Sequence, residues 1–347
     1  MAIIDKPSDY FNTVLYTGNG YPTAGTQSIT GVGFQPDFLW IKDRDASQNN
    51  NLSDVIRGAS FRLKSNSAGE ESELTDSVVS HDSDGFSVGT GTDVNQNTDK
   101  YVAWNWKAGG TASSNTDGSI TSIVSANQTA GFSIVSYTAS SNGTVGHGLE
   151  TAPKFMIFKN RNLAGYNWIV YSSAFSSPQS EFLYLNTTNA KSTISNYWTS
   201  TAPTSTVFSV ASTGSYYNTG NMIAYCFADV QGYSKFGSYT GNGSTDGTFV
   251  YTGFKPAWIM VKRTDSSEVW HILDNKRDTF NKNADWKYLD PASSGAEYNN
   301  NQHDFLSNGF KMRATGANSN ASGGSFIYMA FAENPFVSST GVPATAR

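Results

Sequence analysis

Four histidines, His81, His147, His271 and His303, are the imidazoles this sequence offers for acid–base work. A nucleophilic relay needs such a base beside a serine or thiol, with a third group to orient it. No Gly-x-Ser-x-Gly elbow accompanies any of the four. His81 and His303 each precede an aspartate near turn residues, which reads as a turn or surface role. Metal ligation needs clustered ligands, and the sequence holds no H-x-x-x-H or C-x-x-C pair. Asp82-Ser83-Asp84-Gly85 starts like a calcium loop but lacks the later carboxylate, so a hairpin turn is the better reading. A glycosidase needs two carboxylates about 5 to 9.5 Å apart. Glu70, Glu71, Glu73 and Asp76 are candidates, yet four acids crowded in a polar loop read as a solvated edge. The expectation is a protein that is not an enzyme, with no catalytic residue, no bound cofactor and no metal.

Two other constellations are better defined. Asp54 with Arg57 and Asp274 with Arg277 repeat one spacing, which predicts a local salt bridge holding a turn. A sugar-binding surface would use exposed aromatic faces beside polar loops, because a pyranose has an apolar face and a polar rim. Trp198, Tyr216, Tyr217, Trp286 and Tyr288 are candidates for glycan or partner contact.

The elements that must position these residues are strands. Charged residues are only 15% and aromatics 14%, against about 25% charged in ordinary globular domains. Gly, Ser, Thr and Asn fill roughly two-fifths of the 347 positions. This composition excludes a helical bundle or coiled coil, and the aromatic content excludes disorder. A net charge of −5 speaks against a nucleic-acid partner. The single cysteine, Cys226, has no partner for an internal disulfide. No apolar run is long enough to insert in a membrane, and Met1 to Tyr10 lacks the pattern of a secretory signal.

Three anchors recur in order along the chain. Tyr16-Thr17-Gly18-Asn19-Gly20 is echoed by Tyr137-Thr138-Ala139 with Asn142-Gly143, and returns whole as Tyr239-Thr240-Gly241-Asn242-Gly243. A proline leads an apolar run to a lysine in Pro36 to Lys42, Pro153 to Lys159 and Pro256 to Lys262. Tyr101-Val102-Ala103-Trp104, Met222-Ile223-Ala224-Tyr225 and Tyr328-Met329-Ala330-Phe331 close the three units. Copies roughly a hundred residues apart are domain-sized rather than solenoid turns. The predicted fold is all-β, with three tandem homologous β-sandwich domains of jelly-roll or concanavalin-A-like type. They occupy residues 8–108, 130–230 and 231–336, with a linker at 109–129 that has room for one short strand, Ile120 to Val124, and a polar tail at 337–347. Phe38, Phe155 and Trp258 fall at one strand position and are assigned to the core, and both faces of those strands are apolar. Leu52 to Ala59 is the best helical stretch.

The opening Pro7 to Gly20, the stretch Gly232 to Gly243 and the closing Tyr328 to Phe336 resemble the tandem-repeat virion structural and tail-fibre-like proteins of marine tailed bacteriophages. The resemblance spans nearly the whole chain. It implies lectin-like sandwich repeats and a virion protein made in the host cytoplasm without a signal peptide. It also implies other virion proteins as partners and homo-oligomers, trimers being frequent. A capsid decoration or tail-fibre subunit is the first expectation. A carbohydrate-binding module that adsorbs to host surface polysaccharide is the alternative, and a polysaccharide-degrading enzyme the minor one.

Overall fold

The computed structural model describes residues 3–20, 25–139, 142–194, 198–211, 219–279, 281, 287–299 and 303–343. The chain is all-β, built of antiparallel sheets, and its only described α-helix is the single turn Thr92–Asn95. One four-strand order recurs in each repeat: the opening strand, the closing strand, the proline-led strand and the strand after it. In the first repeat these are Phe11–Thr17, Lys100–Trp106, Phe38–Asp43 and Asn51–Asp54. The second repeat uses Phe132–Ala139, Gly220–Phe227, Phe155–Asn160 and Ile169–Ser172. The third uses Ser234–Thr240, Ser325–Pro335, Phe254–Arg263 and His271–Asp274.

Both faces of these sheets are covered, and strand alternation sorts the side chains between them. Phe38 and Trp40, Phe155 and Ile157, Trp258 and Met260 all enter one central cluster shared by the three repeats. Their neighbours Leu39 and Ile41, Met156 and Phe158, Ile259 and Val261 point the other way, each pair into a cluster of its own repeat. Small sheets complete those outer clusters: Gln27–Thr30 with Gly85–Val88 and Val78–Asp82, Gly143–Gly146 with Val207–Val210, and Phe249–Tyr251 with Gly309–Met312 and His303–Leu306. Rings from all three repeats meet in the centre. Phe38 stacks on Tyr225 at 4.2 Å, Phe11 on Phe331 at 5.0 Å, and Trp106 meets Trp258 edge-on at 5.7 Å. Each such buried side chain contributes about 1.5–3 kcal/mol, so the repeats stabilise one another through a joint core.

Several expectations change. Residues 109–129 do not simply link, because Ser113–Asn115 and Ser122–Asn127 extend the second repeat's sheet to eight strands. Leu52 to Ala59 is not helical: it ends one strand at Asp54, turns, and begins another at Gly58. Pro256 lies inside its strand rather than before it, at a register shift on either side, and such bulges tolerate the missing N–H. The hairpin at Asp84-Gly85 forms and a matching one turns at Asn308-Gly309, with both glycines beginning the following strands. A Cβ on them would come within 1.9 Å of Ile29 O and 2.0 Å of Val250 O. Pairing also moves the third closing anchor by two residues. Lys262 faces Ile327 as Lys42 faces Val102 and Lys159 faces Ile223, so Met329, not Phe331, matches Trp104 and Tyr225. A shift of two leaves every side chain on its face.

Candidate functional site

The paired charges hold turns and also build the joints between repeats. Asp54 Oδ1 accepts the N–H groups of Ile56 and Arg57 at 3.0 and 2.9 Å, and Oδ2 meets Arg57 Nε at 2.5 Å. Asp274 does the same with Lys276 and Arg277, at 3.0 and 2.9 Å, with Nε at 2.6 Å. Both pairs are fully buried. Each arginine donates back to a backbone carbonyl, of Leu52 and of Ile272, both at 2.9 Å. In the second repeat Ser172 pairs with Phe155 as Asp54 pairs with Phe38 and Asp274 with Trp258, and Phe175 stands three residues on.

Each ion pair is completed by another repeat. Tyr225 of the second donates its hydroxyl to Asp54 at 2.8 Å. Trp104 of the first donates Nε1 to Asp274 at 3.0 Å, and its ring lies 5.5 Å from the Arg277 guanidinium. The third member of this set is Met329, which brings no donor, just as Ser172 and Phe175 bring no charge.

A second ring of contacts lies further out. Glu71 receives Arg57 at 3.2 Å and Arg161 of the second repeat at 2.8 Å. Glu297 receives Arg277 at 3.0 Å and Arg44 of the first repeat at 2.9 Å. Backbone bonds run alongside, from Glu71 N to Arg161 O at 2.7 Å and from Glu297 N to Arg44 O at 2.9 Å. At the remaining joint Lys191 N bonds Thr264 O at 2.8 Å, and the Lys191 ammonium pairs with Glu181 at 2.6 Å and faces the Phe175 ring. One joint thus carries a lysine where two carry glutamates.

Lys42, Lys159 and Lys262 share the inward strand face with the core aromatics and are fully buried. Backbone carbonyls hold each ammonium: Asp43 O at 2.6 Å for Lys42, Ala68 O and Tyr166 O at 3.2 and 2.6 Å for Lys159, Thr188 O and Arg263 O at 3.2 and 2.8 Å for Lys262. Ala68 and Thr188 belong to the preceding repeat, so these two lysines also span joints. Burial pulls all three down to about 8.

His147, His271 and His303 are fully buried, so His303 is not the surface group its following aspartate suggested. His81 Nε2 lies 2.9 Å from Ser53 Oγ, but that hydroxyl is fully buried and also bonds Ala59 O at 3.2 Å. Burial lowers His81 to about 4. Among the described residues no three His, Cys, Asp or Glu side chains group as metal ligands. Glu71 sits in a joint, beside Arg57 and Arg161.

The aromatic candidates divide. Trp198 is only 3% exposed, packed on Phe158 and Tyr171 at 5.0 and 5.5 Å, and presents no open face to a sugar. Tyr216, Tyr217 and Trp286 lie outside the described residues. Tyr288 is half-buried, stacked on Tyr298 at 5.3 Å and set edge-on to His271 at 4.5 Å. Phe249 and Tyr251, which sequence reasoning passed over, are among the exposed large hydrophobic side chains.

These features define an all-β protein whose repeats share a core and a ring of buried charges. The family model described as "Domain of unknown function (DUF7483)" matches residues 6–335, and the chain belongs to that family. A single model spans all three repeats. Comparison with curated proteins and with solved structures gave no match.

Proposed function

We propose that the protein is a non-enzymatic structural component on the outside of a tailed phage particle, a capsid decoration or tail-fibre subunit, made of three homologous β-sandwich repeats closed on one another. The observation that carries this reading is the closed set of joints. The arginine–carboxylate pairs available for chemistry are spent inside the fold, holding repeat to repeat, and His147, His271 and His303 are buried each within its own repeat. A rigid, low-charge block fits a particle exterior, where contacts must survive changing salt. The three repeats occupy within one chain the places that three subunits would take around a trimer axis, so other virion proteins or further copies would meet its outer faces. Labelling the protein on purified particles and locating it by electron microscopy tests the proposal. A protein absent from washed particles would overturn it. Adsorption to host surface polysaccharide is the second reading, favoured by the exposed aromatic pair on the third repeat.

A further inference from the structure

The three small sheets invite an internal comparison. Ile29 pairs with Phe86, Val145 with Phe208 and Val250 with Phe310, so these inward pairs mark one position in each repeat. The outward neighbours are then Ser28 and Thr30 in the first, Thr144 and Gly146 in the second, and Phe249 and Tyr251 in the third. Only the third repeat turns two aromatic rings outward here, 44% and 59% exposed. They lie on the edge strand of a three-stranded sheet. Glycine makes room for one of them: a Cβ on Gly309 would come within 3.1 Å of Phe249 Cε2, so that ring lies across the sheet. Gly309 also faces Tyr251 directly and leaves it without a cross-strand side chain.

We propose that Phe249 and Tyr251 form a platform for a neutral surface polysaccharide. Same-face positions two apart on a strand are roughly 7 Å from each other, close enough for both rings to meet one oligosaccharide. The rim supplies hydrogen-bonding groups without net charge. Lys311 pairs with Asp246 and Arg313 with Asp304, each at 2.5 Å, and Asp246 is largely exposed. The balanced pairs favour a neutral ligand over an acidic one. Size argues against a protein partner: the two rings leave on the order of 200 Å² open, whereas a stable protein interface needs about 800 Å² a side. A pyranose fits that area, its C–H face on the rings and its hydroxyls toward the ion pairs.

The test uses the full chain and soluble probes, independently of where the protein sits on a particle. The probes are β-1,3-glucan, β-1,4-glucan, galactan and mannan oligosaccharides of four to six units (~1 kDa at most, within the reach of the platform), with purified neutral bacterial surface polysaccharides. Titration calorimetry is expected to find binding to at least one. Replacing Phe249→Ser with Tyr251→Thr, the residues of the first repeat, is expected to weaken it by about tenfold or more with the melting temperature unchanged. Tyr251→Ala, at the more exposed ring, is expected to weaken it in the same direction. No binding across the panel would overturn the proposal. So would binding that both variants leave intact, or retention only of extended peptides by the open strand edge.

Discussion

The Tyr225 hydroxyl donates to Asp54 Oδ2 at 2.8 Å, so a side chain of the second repeat completes an ion pair of the first. Burial alone would raise the Asp54 pKa. Arg57, the turn N–H groups and Tyr225 outweigh it and hold the carboxyl below its usual range. Tyr225→Phe removes one donor and keeps the ring stacked on Phe38. A hydrogen bond to a charged group contributes about 1.5–3 kcal/mol, so the variant is expected to lose that much in urea unfolding. Trp104→Phe should cost a similar amount through Asp274. A loss below about 0.5 kcal/mol in both, the size of an ordinary surface change, would show that the joints rest on apolar contact alone.

The second repeat supplies its own control for the buried charges. Asp54→Ser removes the closer carboxylate of the buried Arg57 guanidinium and leaves it only Glu71 at 3.2 Å, a cost of up to about 3–5 kcal/mol. Adding Arg57→Phe and Tyr225→Met installs the Ser172, Phe175 and Met329 chemistry of the remaining joint. The triple variant is expected to be more stable than the single one, although it carries more changes. Chemical denaturation of both checks this, and a triple variant no better than Asp54→Ser would refute it.

Much of this was readable in advance, for physical reasons particular to the residues. Phe38, Leu39, Trp40 and Ile41 are apolar on both faces, which demanded cover on both sides. Lys42 shares its parity with Phe38 and Trp40, so its inward direction was legible too. The destination of that inward face was not, because alternation says that a face is buried without saying against what. Ser113–Asn115 escaped because a small polar strand on a sheet edge resembles linker, whereas Ile123 and Val124 did mark a short strand, which the structure places at Ser122–Asn127. Trp198 was misplaced because residue type alone does not separate a core ring from a surface one. Phe249 and Tyr251 become visible once the repeats are aligned by strand pairing, since Ser28 and Thr30 occupy the same places.

The buried lysines predict an alkaline rise in stability. Burial lowers all three from 10.5 to about 8. Between those values the unfolded chain holds protons that the folded chain has released, so stability increases with pH. Each lysine contributes up to about 1.4 kcal/mol per pH unit there. Cys226 opposes them with one proton above about 9, since burial keeps the folded thiol protonated. Buried tyrosines such as Tyr233, pushed well above 10, reverse the trend beyond that value. The urea midpoint should therefore climb from about pH 8 to 9.5. Lys159→Met should remove roughly one proton from that slope; an unaltered slope would mean that this ammonium is solvated.

On the acid side the histidines set the direction. Burial holds His271 at about 3, with the Lys262 cation adding to the effect and the Tyr288 ring against it. Burial also takes His303 well below its ordinary value, with His271 contributing, and brings His81 to about 4. Below about 6.5 the unfolded chain takes up protons that these folded imidazoles refuse, so stability falls with acidification, by up to about 1.4 kcal/mol per unit for each histidine. Asp290 works the other way: burial raises it to about 6, and its folded carboxyl keeps a proton that the unfolded one loses down to 3.8. Burial lowers His147 too and raises Asp37 and Asp43 as it raises Asp290, so four histidines stand against three carboxyls. The lowered carboxyls of Asp54, Asp274 and Glu297 add to the histidines' side and leave a net acid loss. His303→Leu replaces the imidazole in an apolar setting beside Phe310 and should reduce the slope of unfolding free energy between about pH 6.5 and 4.5 by roughly one proton. Equal slopes in the variant and the parent would show that His303 is protonated in the folded chain, and that its burial does not govern acid stability.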